Sequence, residues 1–303
     1  MYPIVHIPAN IPGFPEQIGT KEKFWLLGID GYKYLYKIGR PGTGENWAEI
    51  VSYEICRLLC LPHAEYSLAT WRDTCGVITR SFVPDGHSLY LGNDIMSKFV
   101  HEYDANKRYK QTQYTIGRVF HFLNNEIIQY PIGFPSAFTT NQALSCFVGY
   151  ILLDALIANQ DRHHENWGLI LNPEGKAYLA PTFDHASSLG RNESDRKRTT
   201  ILTTKDMRQH ITAYVTKART PFYTKQTEKS TLTTINALEW IGSKAPDALH
   251  YWTNRLNTIK KQQLLTIFSN IDRNWINDNA INFSLAMLAL NTQRINKLAE
   301  TIK

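Results

Sequence analysis

At 303 residues, with 43% hydrophobic and 20% charged residues, the chain is long enough for one two-lobed domain or two small ones, and its composition is that of an ordinary globular protein. A net charge of +6 is a mild, diffuse excess that favours acidic partners such as nucleotides, phosphates or an acidic protein, and gives no ground for expecting direct nucleic-acid binding. No apolar run approaches the roughly 18 to 20 residues needed to cross a bilayer, and MYPIVHIPANIPGFPEQ lacks the basic and apolar regions of a secretory leader.

Cys56, Cys60, Cys75 and Cys146 form no C-x-x-C pair and have no histidine at metal-ligand spacing. Buried, reduced thiols of a cytoplasmic protein are expected, with export by a dedicated machine left open.

Tyr2 to Glu16, rich in Pro and Ile, is expected to be extended. Lys23 to Leu27 and Tyr32 to Ile38 read as two strands joined by the turn Gly28-Ile29-Asp30-Gly31. Ahead of them, Gly19-Thr20-Lys21 marks a turn whose backbone N–H groups suit a phosphate. Lys37 lies late in the second strand among Tyr34, Leu35, Tyr36 and Ile38. A lysine there is either an edge charge that discourages aggregation or a phosphate contact. The second role needs a carboxylate on the next helix, and the helical pattern of Trp47 to Leu59 carries Glu49 and Glu54. Either Glu49 or Glu54 could be that partner; the family resemblance drawn below favours Glu49. Ala64 to Thr70 and Gly76 to Val83 read as further strands, closed by the turn Pro84-Asp85-Gly86. A first lobe is therefore expected over 1–85 and a second lobe over 86–303.

Leu89 to Asn125 reads as polar helices whose aromatics (Phe99, Tyr103, Tyr109, Tyr114, Phe120, Phe122) are assigned to the core. Pro131 to Thr140 is a loop, with Thr139 or Thr140 as the cap of the next helix. That helix, marked by Leu144, Phe147, Val148, Ile151, Leu152, Ala155 and Leu156, leads into the polar loop Asn159 to Asn166. Gly168 to Leu171 is a strand, Asn172-Pro173-Glu174-Gly175 a turn, and Ala177 to Ala180 the returning strand, with Asp184 just beyond.

The spacing in this stretch carries chemistry. Asp161 precedes Asn166 by five positions, and Asp184 follows one hairpin later. In protein kinases an Asp of the catalytic loop accepts the substrate hydroxyl proton, an Asn five residues on holds magnesium, and an Asp on the next hairpin holds magnesium against the phosphates. A D-x-x-x-x-N match alone is common by chance; the helix before it and the second Asp at hairpin distance make it specific. The expected class is α+β, a two-lobed kinase-like fold with a small β-rich lobe and a larger helical one. His163 either orients Asp161 and its loop or is a satisfied structural histidine. Arg162 pairs with a phosphorylated hydroxyl or with a local carboxylate.

The strings N-x-D-R-H-x-x-N and L-A-P-x-F-D, from Asn159 to Asp184, resemble those of the HipA-like serine/threonine kinases. Phosphatidylinositol kinases and aminoglycoside phosphotransferases use related loops, so the motif specifies a fold more firmly than an acceptor. The resemblance is moderate over Gly19 to Pro62, where a G-x-x-x-K turn and an acid ahead of Leu61-Pro62 match, and weak after Gly190. It implies ATP and Mg2+ as cofactors, Asp161 and His163 as catalytic residues, and Asn166 and Asp184 as metal ligands. Lys37, Glu49, Gly19, Thr20, Lys21, Ser81, Phe82 and Val83 would surround the nucleotide, with Thr20 either a plain turn hydroxyl or an autophosphorylation site. Asp184-His185-Ala186 stands in place of D-F-G, at positions where HipA-like members vary. Full-length HipA proteins carry a further N-terminal subdomain, so the resemblance implies the compact form. Such forms occur as toxin kinases of three-part toxin–antitoxin systems and as bacterial effector kinases. A protein substrate and an antitoxin or regulatory partner follow from it. The alternatives are a lipid or small-molecule kinase, or a nucleotide-binding pseudokinase partner.

In RNESDRKRTT, Arg191, Arg196, Lys197 and Arg198 outnumber Glu193 and Asp195, which fits either a docking surface for an acidic partner or a solvated loop. From Leu232 the chain is expected to be helical, with periodic apolar positions in Ala237 to Ile241, Leu256 to Phe268 and Ile281 to Leu298.

Overall fold

The protein is described from a computed structural model covering residues 1–16 and 22–303, so Gly19, Thr20 and Lys21 lie outside the described residues. The N-terminal part is built on a sheet. β1 (Ile4–Ile7), β2 (Phe14–Pro15), β3 (Lys23–Leu27), β4 (Lys33–Ile38), β5 (Ser67–Trp71) and β6 (Thr74–Arg80) assemble in the order β1-β5-β6-β4-β3-β2. All neighbours are antiparallel except β1 and β5. The register of the β3–β4 hairpin places Lys23 opposite Lys37, which puts two lysines on the same face of adjacent strands.

Between β4 and β5 runs α1 (Glu45–Leu59). Its apolar positions Val51, Ile55 and Leu59 are fully buried in the core that also takes Leu68 and Val77 of the sheet. Cys60, left-handed at φ 55°, ends the helix, and its N–H donates to Arg57 O. The chain leaves the first sheet after Arg80 and enters a second, in which β7 (Ser88–Leu91), β8 (Gly168–Leu171) and β9 (Ala177–Leu179) pair in sequence order. Only a glycine fits at 168, because a Cβ would collide with the carbonyl of Tyr90 on β7.

α2 (Gly92–Phe99) and α3 (Ile116–Leu123) precede α4 (Gln142–Ile157), every residue of which after Gln142 is buried. A helix apolar on all sides can only be a central one. It is surrounded by α7 (Thr234–Gly242), α8 (Pro246–Asn257) and α10 (Asp278–Thr301), while α5 (Asp195–Thr203), α6 (Ile211–Tyr214) and α9 (Lys261–Ser269) lie further out. Among the described residues no helix is long and apolar enough to cross a membrane.

Several sequence expectations need correction. Residues 100–115 are irregular, because the helical pattern after Leu89 belongs only to α2 and α3. Two aromatics assigned to the core, Phe99 and Tyr109, are 70% and 55% exposed. Neither Thr139 nor Thr140 caps α4: the N-cap is Asn141, left-handed at φ 45°, whose N–H donates to the Glu126 carboxylate. The run Leu256 to Phe268 is split, since Thr258 returns its hydroxyl to Arg255 O and Lys260 starts α9 with its N–H bonded to Gln263 Oε1. Only Cys56 and Cys146 are buried; Cys60 sits at the helix end and Cys75 on the outer face of β6. The basic stretch after Gly190 is largely α5, capped by Ser194, and Arg198 is buried against Asp195.

The loop between α4 and β8 is bolted to the end of α4. Arg162 is fully buried and donates from Nε and Nη2 to both oxygens of Asp154, each at 2.8 Å. Its Nη1 reaches Asn166 O at 2.7 Å, and Asn159 Nδ2 donates to Asp154 Oδ1 at 2.8 Å. Asp154→Asn leaves the guanidinium without its counter-charge in the interior. The expected loss is about 3 to 5 kcal/mol, read as a lower urea midpoint at unchanged slope.

Candidate active site

A cleft of about 620 Å³ is lined from the sheet by Lys23, Lys37 and Tyr66, and from the helical side by Asp161, Asn166 and Asp184. On the sheet side, Lys37 is almost wholly buried, and its Nζ lies 3.3 Å from Asp184 Oδ1, 3.2 Å from Tyr66 Oη and 3.9 Å from Glu49 Oε2. Burial opposes the ammonium charge, but Asp184, Tyr66 and Glu49 outweigh it and raise the Lys37 pKa. Glu49 has no exposed surface. Burial works against its ionisation, yet Lys37 and the His185 side chain hold its pKa below the ordinary carboxylate value, and the His185 N–H also donates to Oε1 at 2.7 Å. Glu54 faces elsewhere and pairs with Arg57 at 3.1 Å.

Asp184 adopts φ 59°, a left-handed conformation costly for a non-glycine residue outside a constrained site. Its N–H donates to Tyr66 Oη at 3.2 Å, and its Oδ2 lies 3.5 Å from the Lys23 Nζ. Two lysines from facing strands thus converge on one carboxylate. His185 fills the place after it with structural contacts, its Nε2 lying 2.7 Å from Thr182 Oγ1.

On the helical side, Asn166 Nδ2 donates to Asp161 O at 2.6 Å, closing the catalytic-type loop on itself. The Asp161 carboxylate accepts from the Tyr109 hydroxyl on Oδ1 and from Ser187 Oγ on Oδ2 at 3.2 Å. His163 Nε2 lies 3.7 Å from Asp161 Oδ1, while its Nδ1 accepts from the N–H of Glu165 at 3.2 Å. That second bond assigns the ring proton to Nε2, facing Asp161. Burial lowers the His163 pKa against the pull of Asp161, which keeps the ring neutral near pH 7.

Ser81, Phe82 and Val83 line the same cleft where the chain passes between the two sheets. Ser81 donates its N–H to Lys33 O, and Phe82 stacks on Phe183 at 5.3 Å. The group Lys37, Glu49, Asp161, His163, Asn166 and Asp184 is therefore gathered around one cavity, whereas Gly19, Thr20 and Lys21 lie outside the described residues.

Tyr66, Tyr109 and Ser187 were not singled out from the sequence as site residues. Tyr66 carries no spacing signal, and Tyr109 was grouped with core aromatics. Arg191, in the stretch that fits either a docking surface or a solvated loop, pairs with Glu45 at the start of α1, which Arg40 also contacts at 3.1 Å. This ties the segment after Asp184 to the helix that carries Glu49.

The donor set suits a hard cation. Magnesium is commonly held by one or two protein oxygens together with substrate phosphates and waters. Asn166 and Asp184 provide such oxygens beside two lysines, and no larger cluster of acids, histidines or cysteines is placed to hold a metal among the described residues.

A β-sheet region, a helical region and an acid-lined cleft between them define a protein-kinase-like fold. The chain belongs to the HipA-like C-terminal domain family, which matches residues 18–249. The fold superposes on the Helicobacter pylori proinflammatory kinase CtkA with a TM-score of 0.74 at 18% identity, over 99% of this chain and 98% of that one. It superposes on HipA, from a Shewanella oneidensis MR-1 complex of HipA, HipB and operator DNA, with a TM-score of 0.57 at 9% identity. That match covers 93% of this chain and 64% of the other. No curated protein matches the sequence.

His164 offers a test of the loop's packing. It is buried, with Nδ1 2.6 Å from Tyr103 Oη, and burial, aided by His163, depresses its pKa from 6.5 to about 4. Because the native state holds this ring neutral, the unfolded chain binds more protons between these values, and stability falls as pH drops through them. Thermal midpoints measured from pH 7 down to pH 4 should decline, and His164→Gln should flatten that part of the curve.

Proposed function

We propose that the chain is an ATP-dependent serine/threonine protein kinase using Mg2+. The observation that carries this reading is the convergence of Lys37, Glu49 and Asp184 with Asp161 and Asn166 on one cleft. Phosphoryl transfer needs little covalent help from a protein and much positioning and charge neutralisation. A site with lysines on one wall and carboxylates on the other is suited to that division.

In this reading Ser81, Phe82 and Val83 border the adenine, and Lys37 turns from Asp184 to the phosphate oxygens when nucleotide enters. Glu49 steadies the ammonium from behind, since it has no exposed surface and its Oε2 faces the Lys37 Nζ at 3.9 Å. Lys23, opposite Lys37 in the hairpin, offers a second positive charge at the same carboxylate. Asn166 and Asp184 would hold magnesium, which supplies neutralisation of the phosphate charge when bound. Asp161 orients the acceptor hydroxyl and takes its proton as the acceptor oxygen bonds to the γ-phosphorus and ADP departs. The neutral His163 faces Asp161 with its Nε2 at 3.7 Å and lines the loop beside it.

The likeness in fold to HipA and to CtkA supports the role of kinase in a toxin–antitoxin pair or of a bacterial effector, with a protein substrate and a regulatory protein partner. Asp161→Asn, Asp184→Asn and Lys37→Met should each lower phosphoryl transfer by about a hundredfold or more, with far-ultraviolet circular dichroism unchanged. The assay is transfer from γ-labelled ATP, with magnesium, into the protein itself and into a cell lysate. Wild-type rates in any of the three would refute the assignment, and label confined to lipids or small metabolites would change the acceptor class.

A further inference from the structure

Residues 103–114 run as an irregular strap across the catalytic-type loop and touch it residue by residue. Tyr109 bonds Asp161, Tyr114 Oη donates to Arg162 O at 3.0 Å, and the Tyr109 ring meets His163 edge-on at 5.7 Å. Tyr103 Oη lies 2.6 Å from His164 Nδ1, and Arg108 Nε pairs with Glu165 Oε2 at 2.6 Å. Most of these contacts are buried, and they act as anchors. Gln111 Nε2 bonds Asp104 O at 3.0 Å within the strap, and Tyr114 stacks on Phe222 at 4.5 Å.

Tyr109 differs from the anchors. It is more than half exposed, it is followed by Lys110 in the left-handed region at φ 56°, and its hydroxyl reaches into the cleft to an oxygen of the proposed base. An acceptor hydroxyl must occupy that position, as a donor to Asp161, before it can be phosphorylated. The other carboxylate oxygen already accepts from Ser187. The tyrosine and an incoming acceptor therefore compete for Oδ1.

We propose that Tyr109 is a specificity-determining residue that holds the place of the acceptor hydroxyl on Asp161 and excludes water from it until a protein hydroxyl displaces the phenol. This rests on the kinase reading above. If water took the place instead, its oxygen would bond to the γ-phosphorus. The bond from that phosphorus to the β–γ bridging oxygen would break with its electron pair left on ADP, and the water proton would pass to Asp161. The outcome would be ATP hydrolysis. A protein acceptor brings binding contacts of its own and exchanges one hydrogen bond to the carboxylate for another at little net cost. Water brings no such contacts, so it competes with the phenol through a single hydrogen bond. The anchors on either side keep the backbone in place, so displacement needs only the exposed side chain to swing outward.

The test is ADP formation from magnesium ATP without any protein acceptor, compared for wild type, Tyr109→Phe, Asp161→Asn and the double variant. Phenylalanine keeps the ring against His163 and removes only the competing hydroxyl. Acceptor-free hydrolysis should rise about fivefold in Tyr109→Phe, the equivalent of one net hydrogen bond, and the gain should vanish in the double variant. Tyr109→Phe no faster than wild type overturns the proposal. So does phosphate found on Tyr109 by peptide mapping, since the residue would then be an acceptor. A readout independent of turnover is the phenol resonance of isotope-labelled tyrosine, assigned by its loss in Tyr109→Phe. Asp161→Asn should shift it, and no shift means that the contact does not exist. A failure of the kinase reading looks different: neither protein forms ADP or labelled product although the resonance does shift, and the proposal falls with it.

Discussion

The catalytic-type loop on the helical wall of the cleft depends on one buried ion pair, Asp154 with Arg162. A polar loop carrying Asp161, His163 and Asn166 has to be held still at the end of an apolar helix, and apolar packing cannot do that. Asp154 lies in the last turn of α4, among residues that are otherwise apolar, and its two oxygens are taken up by Arg162 and Asn159. The bidentate geometry fixes the guanidinium plane, and Arg162 in turn holds Asn166 O. Asp161 and Asn166, at the two ends of the loop, are thus set by a charge buried beneath it. Burial of such a pair carries a desolvation cost, so its value here lies in geometry: the cleft-facing side chains gain a rigid base.

The opposite wall uses the same physics in another form. Lys37, Glu49 and Asp184 come from a strand, a helix and the segment after a hairpin, and none is adjacent in sequence to another. Opposite charges placed together in a poorly solvated site interact far more strongly than they would on the surface. Among the described residues Glu49 Oε2 has no hydrogen-bond donor, and Lys37 at 3.9 Å faces it, while His185 lies against Oε1. The left-handed Asp184 and the ion pair of Arg191 with Glu45 lock the segment beyond the hairpin against the start of α1. The two walls are therefore coupled: the helix that carries Glu49 also receives the chain that carries Asp184.

The strap over the loop adds a third layer, and it explains how an irregular segment can be so well placed. Residues 100–115 have no helix or strand to order them, yet Tyr103, Arg108 and Tyr114 each find a partner on the loop. A charged or hydroxylated side chain that bonds a rigid loop orders its own backbone as effectively as a ladder does. Tyr109 lies between these anchors, more than half exposed, with its hydroxyl on Asp161 and its ring edge-on to His163.

Much of the fold was legible from residue pattern. The β3–β4 hairpin, α1, α4, and the hairpin of β8 and β9 follow from apolar periodicity and from turns such as Asn172-Pro173-Glu174-Gly175, because these elements bury regular faces. The spacing of Asp161, Asn166 and Asp184 was also local enough to be read, since one loop and one hairpin connect them. What only the tertiary structure decided is what depends on distant partners. Glu49 rather than Glu54 faces Lys37 because α1 turns that side of the helix toward the sheet, while Glu54 finds Arg57 on the other side. Arg162 meets Asp154 and not a phosphorylated hydroxyl because the loop folds back beneath itself. Tyr109 reads in sequence like any core aromatic; its hydroxyl reaches Asp161, 52 positions away, only because neighbouring anchors carry the strap there. Patterns repeat along the chain and can be read from it, whereas a single side-chain contact across the fold leaves no pattern.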